Sequence, residues 1–201
     1  SLAPPPAGLS LQQAAGIPTA AGTAWQGLFE VANLQQGQKI LIHAGAGGVG
    51  SFAIQFARQA GAEVVATASG DGLDIARRLG ARKTIDHRSE DFGKAVTEAD
   101  VVFDTIGGET QERSFGVLRA GGLLLAAAAP PDEATAKAHD VRAAFVFHSS
   151  DGKRLGKVAA EIASGGIEVL VDRIGPLEDV AEAFERQASG HARGKIILTM
   201  A

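Results

Sequence analysis

Cysteine is absent from the 201-residue chain, and with it go disulfides, thiolate metal sites, iron–sulfur clusters and a cysteine nucleophile. Such a composition fits a cytoplasmic protein. No apolar run approaches the ~20 residues needed to span a bilayer, and no charged stretch followed by an apolar one opens the chain as a secretion signal. Acids and bases are interspersed and sum to a formal net charge of −4. That leaves neither a basic stripe for nucleic acid nor a basic amphipathic helix for a membrane surface. The five histidines (His43, His87, His139, His148, His191) lack metal-ligand spacing and form no cluster with acids, so no metal site is expected. No serine sits in a G-x-S-x-G elbow, and no carboxylate pair announces hydrolysis. The catalytic residues stay unassigned, because no side chain stands out as a general acid or base.

What the chain does have is 45% hydrophobic and 21% charged residues, the composition of a globular protein. Its length suits one domain, or one domain plus a fragment. The opening at Ser1, without a methionine, reads as a processed product or an excised piece. The organising stretch is Lys39 to Gly50. An apolar run from Lys39 to Ala44 reads as a buried strand and empties into Gly45-x-Gly47-x-x-Gly50. Beyond it Val49, Phe52, Ala53, Phe56, Ala57 and Ala60 recur at helical spacing. A glycine triplet alone says little, but strand before and helix after are the context of a dinucleotide site. Gly45 permits a tight turn, Gly47 lets backbone approach a pyrophosphate, and Gly50 lets helix and strand pack closely. First-turn amides and the helix dipole then favour negative charge.

Residues 1–18 read as an extended, proline-bearing lead-in with a short helix over Leu9 to Gly16, and residues 19–165 as the dinucleotide-binding domain. That domain opens with a helix over Thr19 to Leu34. Further strands are expected over Glu63–Ala68, Lys83–Asp86, Ala99–Asp104, Gly121–Ala128 and Val141–Phe147, with helices over Leu73–Leu79 and Thr110–Leu118. Six nearly continuous apolar strands alternating with helices describe an α/β, Rossmann-type, doubly wound parallel sheet covered on both faces, of order 3-2-1-4-5-6. Past residue 150 a helix from Leu155 to Ala163, a strand over Ile167–Ile174, a helix over Leu177–Ala188 and a strand over Lys195–Met200 follow. Residues 166–201 thus form a separate strand–helix–strand unit.

In nicotinamide dinucleotide folds an acid ending the second strand binds the ribose 2′-hydroxyl of NAD. The count of about 20 residues from the glycine motif arrives at Ser69, which is neutral and leaves room for a 2′-phosphate. Asp71, two residues on, argues the other way unless it points aside. Arg77, Arg78, His87 and Arg88 are candidate counter-charges. Asp104-Thr105-Ile106-Gly107 ends the fourth strand, where ligands of open sheets lie. It reads either as a cofactor wall or as an ordinary turn with a satisfied Asp104. Small residues from Ala126 to Ala129 suit the nicotinamide side and equally suit plain packing. An S-adenosylmethionine-dependent methyltransferase shares a glycine-rich first turn but would want an acid near Ser69.

Leu-Ile-His-Ala-Gly-Ala-Gly-Gly-Val-Gly (41–50), Ala-Thr-Ala-Ser (66–69), Leu-Gly-Ala (79–81), Ile-Asp-His-Arg (85–88), Asp-Val-Val-Phe-Asp-Thr-Ile-Gly-Gly (100–108) and His-Ala-Arg-Gly-Lys-Ile-Ile-Leu (191–198) together resemble the quinone oxidoreductase branch of the medium-chain dehydrogenase/reductases. The resemblance runs from about residue 9 to the end. It implies an NADPH-dependent, zinc-independent reductase of quinones, enones or related carbonyl compounds, with NADPH preferred to NADH. Zinc members carry a cysteine shortly before the first strand, and Gly16 to Thr23 contains none. By the same carry-over Thr23 approaches the nicotinamide carboxamide, Gly47, Gly48 and Val49 cradle the pyrophosphate, Ser69 meets the 2′-phosphate, and Thr105 and Ile106 flank the cofactor. Asp71 and His87 replace a lysine and a tyrosine of close relatives, which leaves cofactor preference open. The GroES-like, β-rich catalytic domain that begins such enzymes is not in this chain. The final strands, which would lean on it, should therefore pair with each other, fray, or be offered to another chain. The family also implies a homodimer through strand 141–147. The alternative is a stand-alone, non-catalytic dinucleotide-binding or interaction module.

Overall fold

The computed structural model describes Pro5 and residues 8–200, so most of the expected extended lead-in lies outside the described residues. The chain enters through α1 (Leu11–Ala15), capped reciprocally by Ser10 and Gln13. It continues into α2 (Pro18–Trp25), with the proline at its first turn where no amide hydrogen bond is forfeited. The expected single helix to Leu34 instead widens into a π-helical stretch over Gln26–Val31. There Gly27 lies so close to Phe103, Leu125 and Val146 that an added Cβ would stand 3.0–3.4 Å from them.

Six strands form one parallel sheet in the order β3-β2-β1-β4-β5-β6, the expected doubly wound topology. They are β1 (Lys39–Ile42), β2 (Glu63–Ala68), β3 (Lys83–Asp86), β4 (Ala99–Asp104), β5 (Leu118–Ala126) and β6 (Arg142–Phe145). Ile42 pairs with Ala66 on one side and Phe103 on the other, and Phe103 pairs with Leu125. Alternate residues of each strand serve opposite cores. Ile40, Ile42, Phe103 and Leu125 meet Phe52 and Phe56 of α3 (Gly48–Gln59), whereas Leu41, Val102 and Leu124 meet Phe92 and Phe115. Burial on both faces is why the strands are continuously apolar.

The remaining crossovers are α4 (Gly72–Leu79), α5 (Phe92–Ala95), α6 (Gly108–Ser114), which tightens into a 3₁₀ turn at Phe115–Val117, and α7 (Glu133–Ala138). Neither α5 nor α7 was expected. Both are short, and each starts at an aspartate, Asp91 or Asp132, whose side chain accepts a first-turn amide. Helix α8 (Gly152–Ala163), capped by Asp151, packs against α2. There Arg154 is nearly buried and grips Glu30 through two hydrogen bonds of 2.8 and 2.6 Å.

The last unit is β7 (Val171–Pro176), α9 (Val180–Ala188) and β8 (Lys195–Thr199), with β7 and β8 paired in parallel as a two-stranded sheet. Mutual pairing is thus the outcome among the three alternatives. The strand starts later than expected because Ile167, Val169 and Leu170 are buried and the backbone of Glu168 is otherwise engaged. The Gln55 side chain donates to the Glu168 carbonyl at 3.0 Å and accepts its amide at 2.7 Å. This clamp, and a bridge between Gly47 and Gly194, fasten the C-terminal unit to the glycine turn.

Candidate functional site

Where β1 ends, His43 and Ala44 turn the chain into the glycine loop. The left-handed backbone is carried by Ala44 (φ +51°), not by Gly45 as the turn chemistry suggested. Gly45 matters for space: a Cβ there would lie 2.9 Å from both Ala66 Cβ and Ile54 Cδ1. A Cβ on Gly50 would overlap the Ala44 carbonyl oxygen, with its carbon 2.9 Å away, so α3 can dock on β1 only through glycine. No side chain caps α3 at Gly47. Its first turn faces a cleft of about 530 Å³ lined by Gly47, Gly48, Val49, Gly50, Ser69, His87, Thr105 and Ile106.

The far wall is held by Asp104, fully buried, whose carboxylate accepts Ile106 N–H (2.9 Å), Gly107 N–H (3.0 Å) and the Gln111 amide (3.0 Å). Thr105 Oγ1 donates to the His43 carbonyl at 3.0 Å and ties that wall to β1. Asp104 is thus a satisfied structural carboxylate, while Thr105 and Ile106 line the cleft.

His43 lies beneath, sealed from solvent. Ser114 Oγ donates to the Thr110 carbonyl (2.6 Å), so it accepts from His43 Nε2–H (2.9 Å), and Thr67 Oγ1 donates to Nδ1 (3.1 Å). The neutral imidazole satisfies every partner, and burial pushes its pKa from 6.5 down to about 4. It is a structural histidine, not a base facing the cleft.

Thr23 does not reach the cleft lining. It is buried in α2, with its hydroxyl donating to the Thr19 carbonyl at 2.7 Å. Of the candidate counter-charges only His87 lines the cleft. Arg77 is engaged by Asp74 (2.5 Å) and Thr84 (3.0 Å), Arg78 by Glu168, and Arg88 is exposed outside the lining.

The cations that do line the cleft come from the C-terminal unit: Arg193 and Lys195. The Arg193 guanidinium donates to the Ser69 carbonyl (3.0 Å) and to Asp71 (2.9 Å), and it lies across Gly72 at the start of α4. Its backbone amide is held by Asp172 at 2.7 Å, itself gripped by two bonds from Arg186. Those cationic and amide partners hold the Asp172 carboxyl well below the ordinary carboxylate range, the Arg186 hydrogen bond first among them. Lys195 crosses the helix start, where a Cβ on Gly48 would stand 2.9 Å from its Cδ and 3.6 Å from Nζ. Neither cation was anticipated, because about 120 to 150 residues separate them from the segments they touch. The only local signal was a pair of cations flanking Gly194.

This geometry can hold an extended dianion: amides and a lysine at the helix start, an arginine at the end of β2. A family profile of zinc-binding dehydrogenases matches residues 79–198. The chain belongs to this family. It corresponds to the C-terminal dinucleotide-binding part of the medium-chain dehydrogenase/reductases. It is 36% identical to the chloroplastic NADPH-dependent alkenal/one oxidoreductase of Arabidopsis thaliana, over 98% of this chain and 49% of that protein. It superposes on the quinone oxidoreductase from Coxiella burnetii with a TM-score of 0.88 and 34% identity, covering 94% of this chain and 61% of the other. An NAD-dependent alcohol dehydrogenase superposes with a TM-score of 0.92 and 29% identity, over 100% and 62%. The chain therefore spans about half to two thirds of the length of such relatives. Despite the family's description, no group of three histidines, cysteines or acids among the described residues is placed to hold a metal. Nor is any helix among the described residues long and apolar enough to cross a membrane.

Proposed function

We propose that this chain is the NADPH-binding part of a zinc-independent, cytoplasmic oxidoreductase whose substrate is a quinone, enone or related small activated carbonyl compound. The observation that carries the cofactor is Arg193. It is a cation fixed against Ser69, where a neutral residue leaves room for the phosphate that distinguishes NADPH from NADH. When bound, NADPH supplies a hydride.

This chain's own residues bind and orient. Gly47, Gly48, Val49 and Gly50 present amides to the pyrophosphate, with Lys195 adding charge. Ser69, His87 and Arg193 receive the 2′-phosphate, and Thr105 and Ile106 flank the nicotinamide half. Thr23 has its hydroxyl committed to Thr19 and is left out of this set.

The proton and the substrate wall are proposed to come from a β-rich partner domain. Supporting that, Leu177, Val180, Phe184, Ile174 and Met200 leave an exposed apolar face on the C-terminal unit. A homodimer through the edge strand β6 fits its unpaired backbone edge and the exposed Phe145 and Phe147.

Fluorescence titration with NADPH and NADH tests the cofactor reading. NADPH should bind at least ten-fold tighter, and Arg193→Leu should erase most of that preference while sparing NADH. Equal affinities in the parent chain would refute it. Quinone or enone reduction should require the catalytic domain, so robust turnover by this chain alone would refute that division of labour.

A further inference from the structure

The site carries its own carboxylate on the cation that the 2′-phosphate would use. Arg193 Nε donates to Asp71 Oδ1 at 2.9 Å, yet the partners differ sharply in exposure: 16% for the Arg193 side chain, 74% for Asp71. The guanidinium is additionally fixed by the Ser69 carbonyl, and its backbone by Asp172. The carboxylate, by contrast, stands in solvent at the tip of the β2–α4 turn, beside Gly70 (φ +55°) and Gly72. One partner is anchored, and the other stands exposed at the surface.

We infer that Asp71 is a built-in competitor for the 2′-phosphate, occupying Arg193 until NADPH displaces it. This rests on the NADPH reading above and deepens it: Asp71 sets how strongly the chain discriminates between the two dinucleotides. A phosphate dianion is the stronger partner for a guanidinium, whereas an exposed ion pair is weak and readily exchanged. The competitor lowers NADPH affinity without abolishing it, and because NADH has no group to exchange with the carboxylate, its binding leaves the Asp71–Arg193 pair in place. Around the pair, Arg186 is the other cation whose field reaches Asp71, but Asp172 already grips it.

The alternative role, Asp71 orienting Arg193 for the ligand, predicts the opposite sign. The test is titration of the parent chain, Asp71→Asn, Arg193→Leu and the double variant with NADPH, NADH and 2′,5′-ADP at low and high salt. Asp71→Asn should tighten NADPH and 2′,5′-ADP by about 2- to 5-fold, the range expected for removing an exposed competing ion pair, and leave NADH unchanged within about 1.5-fold. The gain should shrink at high salt and vanish in the Arg193→Leu background. Unchanged or weakened NADPH binding by Asp71→Asn, with the parent chain still binding NADPH, overturns the competitor role alone. A parent chain that does not prefer NADPH overturns the cofactor reading beneath it. Circular dichroism of each variant shows that a change in affinity is not a loss of fold.

Discussion

Gly194 joins the C-terminal unit to the glycine turn, and its replacement isolates how much that junction matters. Its backbone sits at φ +88°, and a Cβ would overlap the Leu170 carbonyl oxygen, with the carbonyl carbon 2.5 Å and Leu170 Cγ 2.8 Å away. Gly190 is the internal control, at φ +70° in open space. A left-handed conformation costs an L residue roughly 1–2 kcal/mol, partly offset by the stiffer unfolded chain. Gly190→Ala should therefore cost about 1 kcal/mol. At Gly194 the same strain applies, and carbon atoms that need about 3.5–4.0 Å must be relieved from 2.5 Å. Only backbone can move, which adds about 2–3 kcal/mol. The total is about 3–4 kcal/mol, and at about 2–4 °C per kcal/mol for a chain this size Gly194→Ala should lower Tm by about 6–16 °C. The corresponding fall for Gly190→Ala is about 2–4 °C. Thermal unfolding followed by circular dichroism measures both. Because Gly194 N–H donates to the Ala46 carbonyl and Lys195 N–H to that of Leu170, Gly194→Ala should also weaken dinucleotide binding, and Gly190→Ala should not. Equal shifts in Tm would refute the steric reasoning.

His43 makes stability depend on pH in a defined window. Its folded pKa is lowered to about 4 from 6.5, so the unfolded chain takes up the proton first. Stability should fall as pH drops from about 6.5 to about 4, by up to roughly 3 kcal/mol. Urea denaturation at pH 4.5 and 7 should show this fall, and His43→Gln should flatten it. An unchanged slope would remove His43 as the cause. Asp104→Ala should cost about 2–4 kcal/mol, since it strands the buried amide of Gly107 and leaves the Gln111 side-chain amide only its bond to the Ala129 carbonyl. Because Asp104 also sets the turn bearing Thr105 and Ile106, dinucleotide affinity should fall with it. Affinity held at the parent level in a folded Asp104→Ala variant would show that the wall does not depend on this carboxylate.

Local sequence determined the sheet and the start of its site. Continuous apolar strands, amphipathic helices and glycines at 45, 47 and 50 each report on neighbours within a few residues, so periodicity and spacing suffice to read them. The short helices α5 and α7 escaped because four to six residues offer too little periodicity, although Asp91 and Asp132 marked their starts. Gly45 was read for conformation when its real constraint is the nearness of Ala66 and Ile54, a contact between elements. The tertiary structure alone decided the charge of the cleft. Arg77, Arg78 and Arg88 lie nearest Ser69 in sequence yet stay outside the cleft lining, while Arg193 arrives from 124 residues away. It is delivered by the pairing of β7 with β8, the Gln55 clamp and the Gly47–Gly194 bridge. A side chain's charge is written in the sequence, but the field at a site depends on distance in space, and chain folding alone sets that distance.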